Sequence, residues 1–238
     1  VLRVSGLYES QVNELIKDLD GCIGVEIGYL PQLSENWITL FAAARTEAEA
    51  RRQIDDAQTR IIDRVGAQYI IGQNDECLEV VIGQLLREKS WKMAAAESCT
   101  GGLFSRKITS VSGASDYFDR AFITYSNQAK TDLLGVPGDL LDRHGAVSEP
   151  VARAMAEGTR DAAGVDVSVS ITGIAGPAGG SPEKPVGTVF IACAVPGRTV
   201  VERHQFKGDR EHVRESAAQA ALVLLWRTLS NDSNIYCS

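Results

Sequence analysis

The chain has 238 residues, enough for one large or two small domains. Apolar residues make up 44% and charged residues 23%, a globular composition that excludes collagen, coiled coil and bulk disorder. The net charge of -7 argues against the basic face of a nucleic-acid binder, and no apolar run approaches the ~18 residues of a membrane-spanning helix.

Val1–Ser5 reads as a strand, and the chain starts inside it, so a fragment of a longer protein is expected. Val12, Leu15, Ile16 and Leu19 follow helical spacing. Gly24–Leu30 and Trp37–Ala43 read as strands joined by a turn with Pro31, Ser34 and Asn36. Thr46 and Glu49 form a capping-box pair opening a helix to about Val65, and Tyr69–Ile71 reads as a last short strand. Residues 1–73 are thus expected to form a small α+β unit of order βαββαβ, ending near Asn74 and Asp75.

Leu78, Val81, Ile82, Leu85 and Leu86 mark an amphipathic helix face. Lys92–Glu97 reads as a strand, Gly101–Val111 as a helix, Ala121–Tyr125 as a strand and Gln128–Leu134 as a helix. Ser148 is expected to cap a helix with Pro150 in its first turn and Gly164 at its end. His144 falls in what reads as the loop before that cap. Val167–Thr172, with β-branched Val167, Val169, Ile171 and Thr172 and small Ser168 and Ser170 between them, reads as a strand buried on both faces. Val186–Val195 and Thr199–Phe206 read as an antiparallel hairpin across Pro196-Gly197-Arg198. Asp209 is expected to cap a helix to about Leu229, leaving 230–238 as a frayed polar tail. Residues 76–229 then predict a three-layer α/β/α sandwich with a mixed sheet.

Five scattered cysteines without a CxxC do not suggest a disulfide framework, and a reducing cytoplasm is expected. The N-terminus lacks the layout of a secretory signal. The three histidines, His144, His204 and His212, have no metal-ligand spacing, so no metal and no cofactor is expected.

Four stretches are candidates for chemistry. In Ala94–Gly102 a buried strand runs into Glu97, Ser98, Cys99 and Thr100, then Gly101 and Gly102, then a helix. Ligands of open α/β sheets bind beyond the C-terminal ends of parallel strands, where a helix N-terminus offers free N–H groups. Ser98 is the candidate nucleophile there, with a plain helix cap as the competing reading. Cys99 reads as a small buried thiol.

In the second stretch, Ala121–Lys130, a Tyr125 that ends the strand and a Lys130 one helical turn on are expected to face the same cleft. A desolvated lysine can serve a serine nucleophile as base. A solvated lysine and a rim aromatic are the competing readings. Third, the glycine- and proline-rich run after Thr172, including Gly173 and Gly176, forms either an oxyanion or phosphate cradle or a structural turn. Fourth, Arg210 in the first turn of the last helix opposes the helix dipole, which points to a phosphate or carboxylate ligand or a salt bridge to Glu97. An ordinary surface arginine is the competing reading.

AESCTGG, ITYSNQAK, GAVSEPVA, SITGIAGPAGG and FKGDRE, in this order, resemble the C-terminal domain of the CinA (competence/damage-inducible) family. That domain also occurs alone as nicotinamide mononucleotide deamidase. The resemblance covers about residues 76–229. Residues 1–73 resemble the family's KH-like middle domain. The family's N-terminal molybdopterin-binding-like domain has no counterpart in these residues, and its ADP-ribose pyrophosphatase activity is not expected of them.

The resemblance implies hydrolysis of nicotinamide mononucleotide to nicotinic acid mononucleotide and ammonia. It implies Ser98 as nucleophile, with Tyr125 and Lys130 as its proton-handling partners. Backbone N–H groups from Cys99 to Gly102 are the candidate oxyanion donors, and Arg210 with the Gly173–Gly180 loop the candidate anion site. Thr100, Gly101, Gly102, Thr172, Gly173 and Gly176 complete the expected substrate-binding set. The partner is then a small-molecule nucleotide. No GxxG loop joins the helices of the KH-like unit and its charge is net negative, so a spacer or homo-oligomer contact is expected rather than RNA binding. Two other readings stand beside the enzyme. One is a non-catalytic nucleotide-binding or regulatory module of a competence or DNA-damage-inducible protein; the other is a purely structural part of such an assembly.

Overall fold

The structure, a computed structural model, describes residues 1–7, 9–20, 24–31, 35–74 and 77–233. It divides into two compact units, Val1–Leu78 and Glu79–Ser238. Ser34, Asp75 and the end of the expected tail, 234–238, lie outside the described residues.

The first unit follows the expected order: β1 (Leu2–Val4), α1 (Glu9–Ile16), β2 (Val25–Pro31), β3 (Asn36–Ala42), α2 (Glu47–Val65) and β4 (Ile70–Gln73). The four strands form an antiparallel sheet in the order β2-β3-β1-β4. Strand side chains alternate between faces, so Leu2 and Val4 point one way and share a core with Ile38, Val12, Ile16 and Ile61. Thr46 Oγ1 accepts the Glu49 N–H at 3.2 Å, the expected cap at the start of α2.

The second unit comprises α3 (Leu78–Glu88), β5 (Met93–Glu97), α4 (Leu103–Thr109), β6 (Phe118–Ile123), α5 (Asn127–Leu134), α6 (Gly138–His144), α7 (Glu149–Ala163), β7 (Val167–Gly173), β8 (Thr188–Val195), β9 (Arg198–Gln205) and α8 (Arg210–Ser233). Its sheet order is β6-β5-β7-β8-β9. β6, β5 and β7 run parallel, whereas β8 and β9 are antiparallel, so the sheet is mixed as expected. α5, α6 and α7 cover one face, and α4 and α8 the other. β7 lies at the centre and is buried through Thr172, which is why its sequence is apolar or small throughout.

Three local readings need correction. His144 closes a short helix, α6, rather than lying in a loop. That helix has only Leu140 and Leu141 to dock, too few for a periodic signature; Leu141 packs with Ala96, Leu134, Val151 and Met155. Ser148 stands at the α7 N-cap, but its hydroxyl donates to the Gly145 carbonyl at 2.8 Å and makes no cap bond. The region from Ser230 is still helical, since α8 continues to Ser233.

Close layer spacing positions the chemistry. Ser168, Ser170 and Thr172 stand at alternate positions of β7 and face α7. Their hydroxyls donate to the carbonyls of Ala156 (2.6 Å), Ala152 (2.6 Å) and Ala146 (2.9 Å). Such approach needs small residues on the helix, and Ala152 and Ala156 supply them. α5 is held just as tightly, because a Cβ on Gly158 of α7 would fall 1.9 Å from the Leu134 carbonyl oxygen. α5 is the helix that carries Lys130.

Candidate active site

Ser98 continues β5 by one residue. Its N–H donates to the Ile171 carbonyl at 2.9 Å, which fixes it at the C-terminal ends of the parallel strands. β6 runs parallel beside β5, and Thr124 just beyond it donates its N–H to the Glu97 carbonyl at 2.8 Å. The chain then turns at Ser126, whose hydroxyl accepts the Ala129 N–H at 3.0 Å and starts α5. One turn in, Lys130 projects inward and is only 1% exposed. Its Nζ donates to the Thr124 carbonyl at 2.8 Å and lies 3.2 Å from Ser98 Oγ.

No carboxylate pairs with Lys130 among the described residues. Burial away from water disfavours its charged form and lowers its pKa; the weaker opposing influence comes from Cys99. Cys99 is itself buried, and burial pushes its thiol up to about 12. The thiol therefore stays protonated, in keeping with the reading of Cys99 as a small buried thiol.

The start of α4 is not an open anion site. The Glu97 carboxylate accepts the N–H groups of Gly102 (2.8 Å), Phe104 (3.2 Å) and Ser105 (2.8 Å), together with the Ser105 hydroxyl. A carboxylate from the preceding strand thus occupies the helix end that a ligand was expected to use. Gly101 and Gly102 have φ of 60° and 102°, which make the turn back into the helix possible.

A cavity of about 210 Å³ opens above Ser98. Of the expected site residues, Ser98, Tyr125, Lys130, Thr172, Gly173 and Arg210 line it; Thr100, Gly101, Gly102 and Gly176 do not. Sequence reasoning missed Ala146 and Val147, from the loop between α6 and α7, and Ala175. Thr172 gives its hydroxyl proton to Ala146, so it also holds that loop in place. Thr100 Oγ1 is buried without a partner. Gly173 has no room for a side chain: a Cβ would fall 2.6 Å from Val189 Cγ2 and 3.1 Å from Cys99 Sγ.

Arg210 does not reach Glu97. Its Nη1 donates to the Gly176 carbonyl at 2.8 Å and its Nη2 to the Tyr125 hydroxyl at 2.9 Å. Tyr125 is 62% exposed and bonds to neither Ser98 nor Lys130 among the described residues. The phenol therefore stands at the cavity rim with Arg210, while the amine sits in its floor. None of the three histidines lines the cavity. Among the described residues no group of three or more His, Cys, Asp or Glu side chains could hold a metal ion, and no helix is long and apolar enough to cross a membrane.

Ser98 and Lys130 are thus in contact at the strand ends of a mixed α/β sheet. The chain belongs to the CinA family: the CinA C-terminal domain matches residues 75–229 and the damage-inducible protein CinA KH domain matches residues 1–72. A CinA-like protein of Syntrophobacter fumaroxidans is 63% identical over 239 residues, covering 100% of this chain and 56% of its own length. One from Syntrophus aciditrophicus is 43% identical, covering 97% of this chain and 55% of its own. The chain thus spans little more than half the length of these relatives. Among solved structures, the competence/damage inducible protein CihA from Agrobacterium tumefaciens superposes with a TM-score of 0.62 at 37% identity, covering 64% of this chain and 93% of its own. A CinA superfamily protein from Klebsiella pneumoniae 700603 superposes with a TM-score of 0.63 at 33% identity, covering 67% and 99%.

Proposed function

We propose that the second unit hydrolyses the carboxamide of nicotinamide mononucleotide to nicotinic acid mononucleotide and ammonia. The observation that carries this reading is the 3.2 Å contact between Ser98 Oγ and a buried lysine amine with no counter-ion. An amide is a poor electrophile, so a serine needs a base to attack it, and a neutral lysine amine is one.

The Lys130 lone pair takes the Ser98 hydroxyl proton as Oγ bonds to the carboxamide carbon. The carbonyl electron pair moves onto oxygen. When the tetrahedral adduct collapses, the C=O re-forms and the C–N bond breaks, and the new ammonium of Lys130 returns its proton to the departing nitrogen. Ammonia leaves and Ser98 holds the acyl group as an ester. Water attacks that ester and gives its proton to Lys130, which returns it to Ser98 as the carboxylic acid leaves. The Thr124 carbonyl at 2.8 Å accepts one amine hydrogen and aims the lone pair at Ser98.

Cavity size and rim charge support a nucleotide. At about 210 Å³ the cavity is smaller than the ~300–1,000 Å³ typical of drug-sized ligands. It suits the pyridine carboxamide end, with ribose and phosphate at the rim. Arg210 stands there with two N–H groups on neutral acceptors and no carboxylate partner among the described residues. Its charge is available to a phosphate. The test is ammonia release by the purified chain from the mononucleotide compared with free nicotinamide. Selective release from the mononucleotide supports the reading; nucleotide binding without release supports the regulatory alternative and overturns it.

A further inference from the structure

The turn after Ser98 is gripped from behind by a residue of α8. Arg214 donates from Nε to the Cys99 carbonyl at 3.2 Å and from Nη2 to the Thr100 carbonyl at 2.9 Å. Its Nη1 is anchored on Glu211 Oε2 at 2.6 Å, one turn back along the helix. One planar guanidinium thus holds two consecutive peptide groups. Both peptides are trans, and in a trans peptide the N–H points opposite to the C=O. The N–H groups of Thr100 and Gly101 are therefore turned away from Arg214.

Those two donors are also free. Ser98, Gly102, Phe104 and Ser105 give their N–H groups to Ile171 or Glu97, and Leu103 gives its own to the Thr100 carbonyl. Among the described residues, Thr100 and Gly101 donate to nothing.

We infer that Arg214 is a positioning residue: by holding the Cys99 and Thr100 carbonyls it fixes the backbone turn that sets Ser98 and Cys99 in the cavity. The inference rests on Ser98 as the nucleophile of the proposed reaction. It adds a residue that touches neither substrate nor the Ser98–Lys130 pair. A lysine at 214 keeps the charge but presents a single nitrogen, which cannot match the fork geometry that serves both carbonyls.

The test uses two rates in wild type, R214K and R214Q. One is kcat for ammonia release. The other is labelling of Ser98 by an alkyl fluorophosphonate, followed by intact mass; there Oγ bonds to phosphorus, fluoride leaves and the serine proton passes to Lys130. Both variants are expected to lose about 10–100-fold in kcat and in labelling rate, with KM and the pH midpoint unchanged. Full rates in R214Q would overturn the inference. So would a moved pH midpoint, which would place the effect on Lys130, or variants that unfold at the assay temperature, which would assign Arg214 to stability. If wild type labels at Ser98 but releases no ammonia from the mononucleotide, the proposed substrate fails alone and the labelling ratio still decides for Arg214. If wild type neither labels nor turns over, both fall.

Discussion

Lys130 Nζ and Ser98 Oγ lie 3.2 Å apart, and among the described residues the only other hydrogen-bond partner of the amine is the Thr124 carbonyl. A charged ammonium held there would be desolvated without a counter-ion, so burial shifts the amine toward its neutral form. A neutral amine has a lone pair to offer, and the hydroxyl proton of Ser98 is the one within reach.

Replacing that base should remove most of the activity without unfolding the domain. Lys130→Met keeps the length and apolar stem of the side chain and removes the lone pair. General-base catalysis contributes about 10²–10⁴-fold, and a kcat loss of that size is expected. Steady-state ammonia release, with circular dichroism to confirm folding, checks it. Activity within about twofold of wild type would reassign the base.

The same amine sets two pH dependences. Activity should rise with pH as Lys130 loses its proton, with a midpoint below the ordinary lysine value of 10.5. Stability moves the same way. The unfolded chain holds a proton on Lys130 up to that ordinary value, whereas the folded protein releases it earlier, so the unfolded state binds more protons within the window and stability rises with pH across it. Below the lowered folded value the full cost of burying the charge is present. Lys130→Met should therefore be more stable than wild type at neutral pH, with the gap closing as pH rises. Urea unfolding of both proteins from pH 6 to 10 reads it.

Arg210 should act on binding through the phosphate. Charge-assisted hydrogen bonds to a charged partner contribute about 1.5–3 kcal/mol, so Arg210→Ala should raise KM for the mononucleotide about 10–100-fold. The phosphate-free nucleoside should lose much less. Equal losses for both would place the substrate phosphate elsewhere.

Glu97 should prove structural. It accepts three backbone N–H groups and one hydroxyl at the start of α4, and Glu97→Ala leaves those donors without it. A stability loss of about 2 kcal/mol or more is expected. Glu97→Gln can still accept through its carbonyl oxygen and should lose less. Chemical denaturation of both variants checks the order.

Much of this is legible in the sequence wherever local chemistry decides. The run of β-branched and small residues Val167–Thr172 reads as a buried strand and lies at the sheet centre. Asp209 reads as a cap, and its carboxylate does accept the His212 N–H at 2.8 Å. Ser98 and Lys130 could be paired because one ends a strand and the other lies a single turn into a helix. The contacts that escaped join side chains to distant partners and leave no periodic trace. Arg214 reaches Cys99 across 115 positions and Arg210 reaches Tyr125 across 85. Glu97, after three buried alanines, reads as the polar end of a strand; only the turn that folds α4 back over it shows that it is a cap.

The most direct test is intact-mass trapping of the protein mixed with nicotinamide mononucleotide and quenched in acid within the first turnovers, comparing wild type with Ser98→Ala. The mechanism predicts a covalent acyl adduct on wild type that maps to Ser98, and neither adduct nor ammonia from the variant. Undiminished ammonia release by Ser98→Ala would contradict it.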